Sequence, residues 1–199
     1  MTQQVPIAVF ASGRGSNFRA LHQALRAADS AATIVLCVSN NPNPGAFDFA
    51  RQQGVAAARL SPKMFAEEKE YETALIELLA NYGVGLIVLA GYMRRLPHGV
   101  VQRWRGKILN VHPALLPDFG GQGMYGLNVH QAVIAAGRTE SGATVHLVDE
   151  EYDTGAIIAQ ERVPVLPADT PEALAARVLE AEHRLLPRVV MELVARDFG

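Results

Sequence analysis

Five strand-length apolar runs, spaced by helical patterns and glycine turns, set the strongest limit on what this chain can fold into. They are "VPIAVFA" (5–11), "TIVLCVS" (33–39), "VAAARL" (55–60), "VGLIVLAG" (84–91) and "KILNV" (107–111). Strands that alternate apolar and polar residues face water on one side. Runs that are apolar throughout must be covered on both faces, which points to a mostly parallel sheet between helices. The intervening segments fit that role. A helix is expected over about 17–28, a short one ending at Gly54, and a longer one through "FAEEKEYETALIELLANYG", entered at Ser61 and Pro62 and stopped at Gly83.

Beyond residue 111 the rhythm changes. A glycine-rich segment and a helix around 127–137 precede two β-type runs, "SGATVHLVD" and "AIIAQERVPV", which the turn-like "EEYDTG" would join as an antiparallel pair. A final helix over about 171–195 carries an apolar stripe at Leu174, Val178, Leu185 and Val189, and Pro187 is expected to kink or divide it. No repeat, low-complexity tract or linker interrupts the 199 residues, so one domain is expected.

Composition excludes several function classes. Hydrophobic residues make up 49% and charged residues 19%, too apolar for a disordered chain. The formal net charge is -2, which gives no general pull toward nucleic acid or anionic membrane. The N-terminus has no basic, signal-like region, and the longest apolar runs are too short to span a bilayer, so a cytoplasmic protein is expected. The single cysteine, Cys37, lies inside an apolar run and is expected to be a buried small hydrophobe.

Ligands of open parallel sheets bind outside the carboxyl ends of the strands, and the chemically unusual residues fall there. "FASGRGSN" (10–17) is a glycine-rich turn entering a helix, where backbone N–H groups and the helix's positive end suit an anion such as phosphate. It is not a Walker loop, and Phe18 stands where a dinucleotide fingerprint needs its third glycine. A tight turn capped by Ser16 or Asn17 is the structural alternative. Asn110 and His112, two apart in "ILNVHPALLPDFGG", leave the same face of a strand end, offering an amide for an oxyanion and an imidazole for a proton. Pro113 and Pro117 restrict the backbone that follows. The acidic turn at Asp149, Glu150, Glu151 and Asp153 offers a carboxylate that would orient His112 and favour its charged form, although a solvated hairpin turn reads equally well. EF-hand spacing is absent, and His112, His130, His146 and His183 have no zinc-ligand spacing, so no metal is expected. Residues 118–128 contain four glycines and are expected to form a mobile lid.

Taken in order, "IAVFASGRGSNFRAL", "VLAGYMRRL", "ILNVHPALLPDFGG", "GATVHLVDEEYDTGAIIAQ" and "ARVLEAEHRLLP" resemble the folate-dependent phosphoribosylglycinamide formyltransferases, from about residue 5 to 190. That resemblance implies a three-layer, Rossmann-like α/β fold whose mostly parallel twisted sheet ends in an antiparallel C-terminal strand. It implies transfer of a formyl group from 10-formyltetrahydrofolate, a co-substrate, to the amine of glycinamide ribonucleotide. Asn110, His112 and Asp153 match the catalytic trio, with a protonated His112 beside Asp153. Ser12, Gly13, Arg14, Gly15, Ser16, Asn17, Gly91, Met93, Pro113 and Glu182 match the ribonucleotide site. Met93, Arg94, Arg95, Leu96, Val148, Asp149, Glu150 and Asp153 match the folate pocket, and Thr144 and His146 match supporting polar positions. Two features depart from the family's commoner pattern. The 118–128 segment is longer and richer in glycine, and Arg95 stands where an apolar residue is usual.

Within the same superfamily, a tRNA-directed enzyme would be expected to carry a basic C-terminal domain. A formyltetrahydrofolate hydrolase would carry an additional N-terminal domain, and a sugar-nucleotide formyltransferase is usually longer. A non-catalytic nucleotide-binding module would keep "SGRGSN" but have no use for Asn110, His112 and Asp153 together. The expected partners are small molecules, with no nucleic acid or membrane, and the chain is expected to be a monomer or homodimer.

Overall fold

The structure is a computed structural model that describes residues 4–197. Seven strands form one sheet: β1 (Val5–Phe10), β2 (Ala32–Ser39), β3 (Ala56–Arg59), β4 (Leu86–Leu89), β5 (Ile108–His112), β6 (Glu140–Leu147) and β7 (Ile157–Pro164). Their spatial order is β3-β2-β1-β4-β5-β6-β7. The first five are parallel, whereas β6 runs antiparallel to both neighbours, so the C-terminal hairpin reverses direction once and then realigns.

The apolar runs are buried on both faces, as their composition requires. In β1, Ile7 and Val9 enter one core while Ala8 and Phe10 enter the other; in β4, Leu86 and Val88 oppose Ile87 and Leu89 in the same way. Each of these side chains larger than alanine contributes about 1.5–3 kcal/mol by leaving water. The first core is closed by α1 (Ser16–Ala27), α2 (Gly45–Gln52), α5 (Leu127–Ala135) and α6 (Pro171–Asp197), through residues such as Phe18, Phe49, Val133 and Leu185. The second is closed by α3 (Glu68–Asn81) and α4 (His98–Arg103), through Tyr71, Leu75, Leu79 and Val100. The result is the expected three-layer, Rossmann-like α/β fold. Cys37 is fully buried, and burial pushes its thiol up to about 12, so it behaves as a small hydrophobe.

Two expectations need correction, and one element was not foreseen. The segment entered at Ser61 is first a single 3-10 turn (Pro62–Met64), and α3 begins at Glu68, where Glu67 and Glu70 form a reciprocal capping box. The short helix α4 has no sequence counterpart strong enough to foresee. Pro187 does not divide α6, which continues to Asp197. Proline removes one intrahelical hydrogen bond, but Val189, Val190, Leu193 and Val194 beyond it are all buried, and that packing outweighs the loss.

The chain crosses from β1 through β2 to β3 on one side, then returns to place β4 on the other side of β1. The loops leaving β1 and β4 therefore diverge and open a crevice at the carboxyl ends of the strands. That reversal is what positions the site.

Candidate active site

The crevice holds a cavity of about 670 Å³, within the range of small-molecule sites. One end is the 13–17 loop. Gly15 caps α1 in the left-handed conformation (φ 73°), and no side chain caps the helix, so the alternative of a turn capped by Ser16 or Asn17 does not hold. The first-turn N–H groups have no side-chain acceptor, and Gly13, Arg14, Gly15 and Ser16 face the cavity. Asn17 donates from Nδ2 to Glu182 Oε2 at 2.5 Å, while its Oδ1 is buried without a partner. Glu182, on α6, is buried too, and burial raises its carboxyl to about 7 against the pull of Asn17.

Asn110 and His112 leave the end of β5 on the same face and line the cavity with Pro113. Asp153 faces them from the β6–β7 connection. Its Oδ2 lies 3.5 Å from His112 Nδ1, and its Oδ1 lies 3.5 Å from His146 Nε2 and 3.4 Å from Asn110 Nδ2. Burial favours the neutral acid, but the two imidazoles and the Gly121 N–H, which donates at 2.9 Å, together hold the Asp153 carboxyl below its ordinary range. Asp153 adopts a left-handed backbone (φ 57°), a conformation an Asp tolerates, and this turns its side chain into the site. His146, on β6, donates from Nδ1 to the Leu147 carbonyl at 2.8 Å, and its Nε2 lies 3.1 Å from Asn110 Nδ2.

The expectation of a protonated His112 is only half met. Burial, the largest influence, pushes its imidazole below the usual range; Asp153 and the Phe119 carbonyl pull the other way without reversing the shift. Its Nε2 donates to Phe119 O at 2.9 Å while Nδ1 faces a carboxylate, so both ring nitrogens meet acceptors and only the imidazolium satisfies both. The neutral resting ring is thus preset to accept a proton. Phe119, whose carbonyl makes that contact, has φ 57°, a strained conformation for a bulky residue.

The opposite wall carries Gly91, Met93, Arg94, Arg95 and Leu96 from the β4 end, with Val148 and Asp149 from the β6 end. Arg95 Nη2 lies 3.4 Å from Glu151 Oε1 and its guanidinium sits 5.8 Å from the Tyr152 ring centre, so it links the two loops at the surface.

Two residues expected to touch ligand lie outside the cavity lining, and one expected as a support lies beneath it. Ser12 is buried outside the cavity lining: its Oγ donates to Asn40 Oδ1 at 2.7 Å and accepts from the Met93 N–H at 2.9 Å. Glu150 accepts from Gln102 Nε2 at 2.5 Å and lies 3.7 Å from His98 Nδ1, away from the cavity. Thr144 is fully buried. Its Oγ1 donates to Ala114 O and accepts from Leu116 N–H and Gln160 Nε2, lashing the 113–117 loop to the sheet. Sequence reasoning missed Gln160, and it missed His130, Tyr125 and Leu127 as cavity residues. No spacing announces them, because a glycine-rich loop, not a repeat, brings them there. Among the described residues, no group of three or more His, Cys, Asp or Glu is disposed to hold a metal, and no helix is long and apolar enough to cross a membrane.

Residues 5–190 match the formyl transferase family model. The chain is 45% identical over 186 residues to the chloroplastic phosphoribosylglycinamide formyltransferase of Arabidopsis thaliana, covering 92% of this chain and 63% of that protein's length. It is 40% identical to the phosphoribosylglycinamide formyltransferase of Haemophilus influenzae, over 92% of this chain and 84% of the relative. The crystal structure of the Brucella melitensis phosphoribosylglycinamide formyltransferase superposes with a TM-score of 0.89 at 41% identity, covering 97% of each chain. A crevice floored by an Asn-x-His strand end with Asp-x-Gly opposite, a family match along most of the sequence and relatives of this similarity lead to one conclusion: the chain belongs to the formyl transferase family.

Proposed function

We propose that this chain transfers the formyl group of 10-formyltetrahydrofolate to the amine of glycinamide ribonucleotide, giving formylglycinamide ribonucleotide and tetrahydrofolate in purine biosynthesis. The observation that carries this reading is the convergence of Asn110, His112 and Asp153 on one cavity, between an uncapped helix start and the Met93–Arg95 wall. The uncapped 13–17 loop suits a ribonucleotide phosphate, and the apolar side of the opposite wall suits a flat heterocycle.

The amine nitrogen attacks the formyl carbon, and the carbonyl π pair moves onto oxygen. Asn110 Nδ2 holds a weak 3.4 Å contact to Asp153 that it can exchange for the new oxyanion, keeping its bond to His146. Negative charge forming beside His112 opposes the burial that keeps the ring neutral and draws a proton onto it. The proton drawn onto His112 is the one the amine loses, relayed by Asp153 through water, and the same proton passes back along that path to the folate nitrogen as the carbon–nitrogen bond to folate breaks.

The test is an absorbance assay of folate turnover with glycinamide ribonucleotide and with amine-free buffer. Amine-dependent turnover is expected; equal rates in both would mark a hydrolase, and none in either a binding module. Asn110→Ala, His112→Ala and Asp153→Asn should each lower kcat on the order of 10²–10³-fold, with smaller effects on KM. Near-normal turnover in any two would sink the assignment.

A further inference from the structure

His130 is buried in the first half of α5, directly after the glycine-rich segment that also carries Phe119 and Gly121. It is 4% exposed and lines the cavity, yet its side chain makes no hydrogen bond to any described residue. Its two ring nitrogens differ. Nδ1 is shut off from solvent without a partner, whereas Nε2 is not shut off, on a residue that lines the cavity. A buried N–H left without an acceptor costs about 1–3 kcal/mol, so the ring's single proton belongs on Nε2, where a ligand can meet it. Burial and, secondarily, the charge of His112 push the His130 imidazole below its ordinary range, which keeps it neutral and places it within electrostatic reach of the reacting centre.

A packing histidine would bury both nitrogens or pair them with backbone. This one leaves Nδ1 buried and unpartnered and Nε2 open, on a residue that lines the cavity and feels the histidine at the transfer site. We propose that His130 Nε2–H is a further catalytic donor, hydrogen-bonding the formyl oxygen as it becomes an oxyanion. The inference rests on the formyl-transfer reading above. The neutral donor adds to Asn110 and His112 as the carbonyl π pair moves onto oxygen, and it neither gains nor loses a proton when the intermediate collapses. Because α5 is continuous with the segment whose Phe119 carbonyl and Gly121 N–H contact His112 and Asp153, the donor is placed only when that segment is seated.

The experiment compares His130→Leu, His130→Asn and His130→Gln with the wild type in the two-substrate assay. The amide nitrogen of Gln falls near the position of Nε2, whereas that of Asn falls near Nδ1. His130→Leu and His130→Asn should lose on the order of 10²-fold in kcat with KM changed only a few-fold, and His130→Gln should recover at least about tenfold of that loss. Equal activity of the Asn and Gln variants, or wild-type kcat in His130→Leu, would overturn the proposal. The Asn–Gln pair carries the test even if the Leu variant folds poorly. Wild-type protein without amine-dependent turnover would instead overturn the reading of function on which the proposal rests.

Discussion

Glu182 has one protein hydrogen-bond partner, the Asn17 amide, and almost no exposure to water, and this combination makes its charge expensive. The carboxyl rises from an ordinary 4.5 to about 7, because burial outweighs the amide. The consequence for stability has a definite sign. Below about pH 4.5 the carboxyl is protonated whether the chain is folded or not, and it has no effect. Between about 4.5 and 7 the unfolded chain ionises while the folded one keeps its proton, so stability falls as pH rises through that window. Above about 7 the full cost, on the order of 3 kcal/mol, is in place. Glu182→Gln keeps an acceptor for Asn17 and cannot ionise. In urea unfolding it should match the wild type near pH 4.5 and exceed it by a few kcal/mol at pH 8; parallel pH profiles would refute the account. We propose that a group held at such a cost beside an unpartnered Asn17 Oδ1 serves a ligand.

The β6–β7 connection shows how an element fixes the chemistry. A Cβ on Gly155 would stand 1.9 Å from the Leu147 carbonyl oxygen, a backbone atom that cannot yield. Gly155→Ala must therefore shift the turn that holds Asp153, and it should lower both the melting temperature and kcat. Gly137 is the contrast: φ is 63° but a Cβ would meet nothing within 4 Å, so Gly137→Ala should cost only about 1 kcal/mol of stability and leave kcat unchanged. Equal kcat losses in both variants would show that Gly155 acts through general destabilisation. The same connection marks where sequence legibility stopped. The parallel strands could be read because two-sided burial imposes apolar runs, and Asn110 with His112 because strand spacing alone puts them on one face. Which of four acids in the turn faces His112 could not be read, since that depends on the left-handed backbone at Asp153. The others have local work: Asp149 accepts from Glu151 N and Thr154 Oγ1, Glu150 reaches Gln102, and Glu151 pairs with Arg95. Likewise α4 was missed because six residues anchored by Val100 and Val101 leave no period to detect.

At the scale of the whole molecule, the two ends of the cavity belong to strands that the chain visits far apart, and something must hold them in register. Ser12 does so from outside the lining. Its hydroxyl joins Asn40, after β2, to the Met93 N–H, after β4; its carbonyl accepts from Asn41 Nδ2, and its N–H donates to the Gly91 carbonyl. Three strand ends thus meet on one residue between the 13–17 loop and the 93–96 wall. Ser12→Ala deletes the hydroxyl bridge and leaves the Met93 N–H without that acceptor. A residue that touched only the ribonucleotide would, on mutation, raise one KM. The bracket instead predicts that Ser12→Ala raises KM for both the ribonucleotide and the folate, and weakens any mutual enhancement of their binding. Gly15→Ala offers the local comparison. A Cβ there would lie 2.8 Å from Ala46 Cβ on a backbone at φ 73°, distorting the helix start alone, so only the ribonucleotide KM should rise markedly. Steady-state kinetics on the two variants, varying each substrate in turn, separate these outcomes. A Ser12→Ala enzyme affected in the ribonucleotide alone would return Ser12 to the substrate site and remove the bracket.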